Sequence, residues 1–156
     1  MAGNRVFRGG RSEPRVISDR TVAAALLPCT AVAVGATQLS QATSASGVRL
    51  ALLGNRDFYG TNAQAFTTTN PLLVPYESGE TGHAYMLQPD DQVVWAMAAG
   101  TYTSGQELTV AAAGRLAAAA AGNIVVAHFD DDSLSGVALS AGALADVCVA
   151  NFYTKA

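Results

Sequence analysis

Gly105-Gln106-Glu107-Leu108-Thr109-Val110, then Ala111 to Gly114, then Arg115-Leu116-Ala117 and on through Gly122-Asn123 to Ile124-Val125-Val126-Ala127-His128-Phe129 is the stretch whose reading decides the fold. Leu108 and Val110 alternate with Glu107 and Thr109, the period-two pattern of a strand with one face buried. Ala113-Gly114 reads as a turn, and Gly122-Asn123 as a second turn into an apolar, β-branched run. Leu116 to Ala121 is alanine-rich, and alanine is the best helix former. Glycines at 114 and 122 nevertheless confine it to about two turns, and so short a helix is marginal unless packed. The segment is therefore read as strand plus loop, with a short helical turn as the alternative.

The same grammar extends outward. Short apolar runs at Val22 to Leu27, Ala31 to Val34, Val48 to Leu53, Leu72 to Tyr76, Ala84 to Leu87, Val93 to Met97 and Val147 to Tyr153 are separated by Gly, Pro, Asn, Asp or Ser. Such spacing predicts an all-β fold, a small barrel or sandwich. Ala84 to Gln88 and Gln92 to Met97 are near-continuous, as in strands buried on both faces. Asp146-Val147-Cys148-Val149 is closer to in/out. Gln38 to Gly47 and Asp130 to Gly142 read as polar loops, and no internal repeat stands out.

The chain has 156 residues, enough for one domain with its own core. Half the residues are hydrophobic and 13% are charged, about half the charge of an ordinary soluble domain. Apolar surface left over on such a chain predicts a partner or an oligomer. Charge is also unevenly distributed. Arg5, Arg8, Arg11, Arg15 and Arg20 face only Glu13 and Asp19 in the first twenty residues, whereas the remainder holds four basic and ten acidic side chains. Residues 1–20 carry Gly3, Gly9, Gly10 and Pro14 and no apolar period. They are read as an extended basic N-terminal arm on a β-rich body of residues 21–156.

The two cysteines, Cys29 and Cys148, lie in apolar stretches and are expected as buried free thiols, in keeping with synthesis in a reducing cytoplasm. Leu26-Leu27-Pro28-Cys29 ends like a lipoprotein cleavage site, but two acids occupy the twenty residues before the apolar run and proline precedes the cysteine. The run is also too short to span a bilayer. Neither secretion nor membrane insertion is expected.

Chemistry is sparse. His83 and His128 have no metal-spaced partner. Asp130-Asp131-Asp132 lacks the alternation of a calcium loop. There is no G-x-S-x-G, no phosphate loop and no dinucleotide fingerprint. Asp90-Asp91 follows a proline and reads as a turn. Tyr85, Trp95, Phe129, Phe152 and Tyr153 are expected in the core or at a subunit interface. The expectation is a non-enzyme without metal or cofactor.

From Pro75 onward the motifs gain a likeness. Tyr76 to Tyr85 leads into Gln92-Val93-Val94-Trp95-Ala96-Met97, then Gly105-x-x-Leu108-Thr109-Val110-x-x-x-Gly114-Arg115-Leu116, then Val125-Val126-Ala127-His128 and Ala145-Asp146-Val147-Cys148-Val149-Ala150-Asn151-Phe152. This half of the chain resembles the decoration, or cement, proteins of tailed-bacteriophage capsids. The resemblance implies a β-knob on the outer capsid surface that bridges major capsid protein subunits. It also implies a homotrimer in preference to a homodimer. The arm itself lies outside the resemblance; its five arginines, with only two local acids, are expected from their charge to contact an acidic capsid surface. A virion-surface ligand- or carbohydrate-binding β-module is the alternative, and its mark would be exposed aromatics on one face. Nucleic-acid binding through the arm is disfavoured by the acidic body.

Overall fold

The computed structural model describes residues 14–56 and 71–156. The fold is all-β, with a closed five-stranded barrel, a second five-stranded sheet and a short two-stranded ribbon. No α-helix occurs among the described residues.

The barrel contains β1 (Val16–Val22), β2 (Ala31–Val34), β3 (Gln38–Gln41), β4 (Leu50–Leu53) and β5 (Thr81–Met86), in the order β1-β3-β2-β4-β5. Antiparallel pairing of β1 with β5 closes it, and β1 lies parallel to β3. A bulge in β1 between Ile17 and Arg20 supplies the bend that so small a barrel needs. Ile17, Val22, Val32, Leu39, Ala51, Leu53, Tyr76 and Ala84 belong to the core that fills it. The interior is tight: a Cβ on Gly82 would lie 2.6 Å from Leu39 Cδ1. Tyr76, fully buried, donates its hydroxyl to the carbonyls of Gly54 (3.0 Å) and Asn55 (2.6 Å).

The second sheet has the order β6-β12-β10-β8-β9. Its strands are β6 (Gln92–Ala96), β8 (Glu107–Val110), β9 (Leu116–Ala118), β10 (Ile124–Phe129) and β12 (Leu144–Thr154). It curls until its outer strands approach each other. Met97, just after β6, bridges Leu116 of β9, and Ala98 N–H donates to the Leu116 carbonyl at 2.7 Å. β7 (Gly100–Thr101) and β11 (Ala138–Leu139) form the ribbon.

A second core joins the two sheets. β4 is buried along its whole length: Ala51 and Leu53 point into the barrel, while Leu50 and Leu52 join Trp95, Met97, Leu108, Leu116, Val126, Phe129 and Val147 on the other side. Ala31 of β2 does the same. Trp95 is fully buried at this seam, and its indole N–H donates to the Gly114 carbonyl at 2.9 Å. Ala96 N–H donates to the Cys29 carbonyl at 2.8 Å.

The decisive stretch folds as strand, turn, strand and loop, then strand. β8 pairs with β9 from Leu108↔Ala118 to Val110↔Leu116, and β10 pairs with β8 on its other side. Ala113 and Gly114 both have positive φ, 58° and 66°, as the tight turns of antiparallel hairpins require.

Several expectations change. The arm boundary at residue 20 falls inside β1, because Val16↔Tyr85 through Thr21↔Thr81 pair in the barrel wall. The run Val22 to Leu27 is not one strand: β1 ends at Val22, and Leu26 makes only a single bridge, to Tyr76. Leu72 to Tyr76 is likewise no strand; Pro71–Leu73 is a 3-10 turn, at a proline that has no N–H to give a ladder. The polar loop from Gln38 contains β3, whose Leu39 is fully buried. The polar segment Asp130 to Gly142 contains β11. β5 alternates, with Ala84 buried and Tyr85 exposed, so it is not buried on both faces.

Candidate functional site

The expected contact arginines separate. Arg5, Arg8 and Arg11 lie outside the described residues. Arg15 is exposed just before β1, and its carbonyl accepts from Met86 N–H at 2.8 Å. Arg20 belongs to the barrel: its Nε donates to the Gly35 carbonyl at 3.0 Å, and its guanidinium pairs with Asp19. Arg20 thus braces a turn, and the structure does not make it part of a free arm.

The histidines stand on different sheets. His83 of β5 meets Tyr85 edge to face at 5.2 Å. His128 of β10 joins a polar cluster on the open face of the curled sheet. The ladder sets it opposite Glu107 of β8 on one side and Cys148 of β12 on the other. His128 Nε2 lies 3.2 Å from the Tyr153 hydroxyl, which donates to Glu107 Oε1 at 2.7 Å. Lys155 Nζ sits 2.8 Å from Glu107 Oε2. The hydrogen bond from Lys155, then that from Tyr153, holds the Glu107 carboxyl below its ordinary range, and the hydrogen bond that Tyr153 donates to Glu107 pushes its own phenol up. Both Glu107 oxygens are thereby engaged with Tyr153 and Lys155. The cluster was invisible in the sequence because Glu107, His128 and the Tyr153–Lys155 segment lie more than twenty residues from one another; only the ladder register collects them.

The acidic triplet disperses. Asp131 accepts from the N–H groups of Ser133 and Leu134 and from the Ser133 hydroxyl, organising its own turn. Asp130 accepts from Gln92, and Asp132 from the Ser104 hydroxyl. Three carboxylates with three separate duties do not converge on one point. Among the described residues, no three His, Cys, Asp or Glu side chains gather as a ligand set.

Neither cysteine forms a disulfide. Cys29 is buried, has φ 59°, and burial pushes its thiol up to about 11. Cys148 is only half-buried, since the in/out pattern of β12 turns it to the open face. Trp95 and Phe129 are core residues as expected, whereas Tyr85, Phe152 and Tyr153 are exposed, the first on the barrel and the others on the second sheet.

A cleft of about 220 Å³ opens where the barrel meets the curled sheet. Leu27, Pro28 and Leu73 line one part of it, Gln41 and Leu144 others, and Arg115 supplies a charge. No family model matches the chain, and no curated protein matches it.

Proposed function

We propose that the protein is a structural component of a tailed-phage virion, one that binds the outer capsid surface and stabilises it by bridging major capsid protein subunits. The observation that carries this reading is the placement of the motifs behind the resemblance. Gly105 to Leu116, Val125 to His128 and Ala145 to Phe152 are separate in sequence, yet they form β8, β9, β10 and β12 of one sheet. A likeness spread over contiguous strands of one unit is a likeness of architecture, not of an isolated word. The titratable groups fit a structural role: Glu107, Asp130, Asp131 and Asp132 are engaged in turns and cross-strand pairs. Exposed aromatics on separate sheets do not build the single stacking face that a carbohydrate-binding module would use.

Under this reading the protein is made in the host cytoplasm, acts without a cofactor and is no enzyme. It assembles with the major capsid protein and with itself, as a homotrimer in preference to a dimer. The basic residues before β1 reach an acidic neighbour. The test is co-sedimentation of the purified chain with particles of the major capsid protein from the same genome, across a salt series. Saturable binding is expected, and removal of residues 1–13 should lower occupancy and flatten its salt dependence. Absence of the protein from the particle fraction at every salt concentration would refute the reading.

A further inference from the structure

The cleft at the seam has features that the cement reading does not use. Its apolar rim is open to water: Leu27 is 39% exposed and Leu73 54%. Its floor polar groups are already committed. Gln41 Nε2 donates to the Ala31 carbonyl at 2.7 Å and approaches Thr30 Oγ1 at 3.3 Å, while Thr30 Oγ1 donates to the Leu27 carbonyl at 2.7 Å. Arg115 is different. Its guanidinium lies beside Gly142, with Nη2 3.8 Å from where a Cβ would be. Arg56 and Lys155 pair with Glu80 and Glu107, but Arg115 has no carboxylate within ion-pair reach among the described residues. Arg15 and Arg49 also lack one, yet they are exposed, whereas Arg115 is half-buried.

A guanidinium partly withdrawn from water and unpaired is a site for a planar, bidentate anion, and carboxylate matches its fork. The leucines and proline that line the same cleft favour an aliphatic group next to that charge. Size narrows the choice further. About 220 Å³ is below the 300–1,000 Å³ usual for small-molecule sites and suits one or two side chains. This is the form of an interface anchor pocket, in which an apolar residue is buried and a charged neighbour fixes its orientation. We propose that the cleft docks a short acidic segment of a partner protein, an aliphatic residue seated between Leu27 and Leu73 and an adjacent Asp or Glu held by Arg115. The proposal goes beyond the cement reading and stands whether or not the partner is a capsid subunit.

The test uses the full-length, isotope-labelled protein and two probes, acetyl-Ala-Leu-Glu-Ala-amide and its Gln counterpart. The Glu peptide should shift the amide signals of Leu27, Leu73 and Arg115 and the Arg115 Nε–H, and the shifts should saturate. The Gln peptide should bind roughly five- to tenfold more weakly, as expected for loss of one charge-assisted pair. Arg115→Gln should reduce the Glu peptide to the affinity of the Gln peptide, with the rest of the spectrum unchanged. Leu73→Ala, at an exposed position, should weaken both. Equal affinity for the two peptides, a Glu preference that survives Arg115→Gln, or no saturable shift at the cleft overturns the proposal.

Discussion

Gly114 is the residue on which the seam turns. Its φ of 66° is left-handed, and a Cβ there would lie 2.6 Å from the Ala31 carbonyl oxygen, 2.7 Å from the Ala31 nitrogen and against Gln41 Nε2. Its own carbonyl accepts the Trp95 indole N–H. Gly114→Ala combines backbone strain with a clash against backbone, and should cost about 3 kcal/mol. Gly122 has φ 84° and open space around it, so Gly122→Ala should cost only the left-handed penalty, about 1 kcal/mol. Urea denaturation of the two variants checks the difference, and equal losses would mean the close approach is relieved at little cost. The thiols make a second prediction at this scale. Cys148 should label in the native protein at pH 8 and Cys29 should not, as mass mapping after alkylation would show. Cys29 keeps its proton to about 11 when folded, while an unfolded thiol loses it near its ordinary value. The unfolded chain therefore binds fewer protons in that interval, so stability is full below about pH 9 and falls as pH rises to about 11. Burial raises Tyr102 as well, which acts in the same direction. Equilibrium unfolding between pH 8 and 11 reads this out. The sequence marked Gly114 as a turn but could not show its approach to Ala31, which is more than eighty positions away.

The hairpin was the most legible element, because alternation, paired glycines and a β-branched return all agree. Even the alanine run was legible: β9 (Leu116–Ala118) is a short strand, held by pairing with β8 against its own helical propensity. β3 was hidden because Gln38, Ser40 and Gln41 outnumber the single inward Leu39, so composition masked a strand with one buried side chain. The arm boundary failed for a related reason. In Arg15-Val16-Ile17-Ser18-Asp19-Arg20 only Ile17 is buried, and the charges outweighed it. Truncation distinguishes the two boundaries. Removing residues 1–13 should leave the melting temperature within a few degrees, while removing 1–20 takes most of β1, opens the barrel and should abolish the folded state. Retention of a cooperative melt after the longer deletion would contradict the role of β1 as a closing strand. At the turn itself, Ala113 is exposed with φ 58°. Asparagine tolerates that conformation better, so Ala113→Asn should stabilise by about 0.5–1 kcal/mol, measurable as a raised melting temperature.

Barrel and curled sheet bury Leu50, Leu52 and Ala31 in the same core as Trp95 and Phe129, so the protein should unfold as one unit. The chain has a single tryptophan, and it lies at the seam. Its fluorescence and the far-ultraviolet circular dichroism of all strands should therefore share one midpoint; two midpoints would mean that the halves melt separately. The candidate cleft lies on the same seam, and its legibility was poor. In the sequence Arg115 stands only as part of a motif, because whether an arginine meets a carboxylate is decided in three dimensions. The whole-molecule reading, an all-β body with sparse charge and basic residues ahead of β1, leads to cement as the proposed role. Its most direct test is the heat stability of DNA-filled capsids with and without the protein, followed by the release of packaged DNA to an intercalating dye. Capsids carrying the protein should release DNA at a higher temperature, and adding the purified chain back to bare capsids should restore the difference. Identical release temperatures in the presence of bound protein would contradict the account.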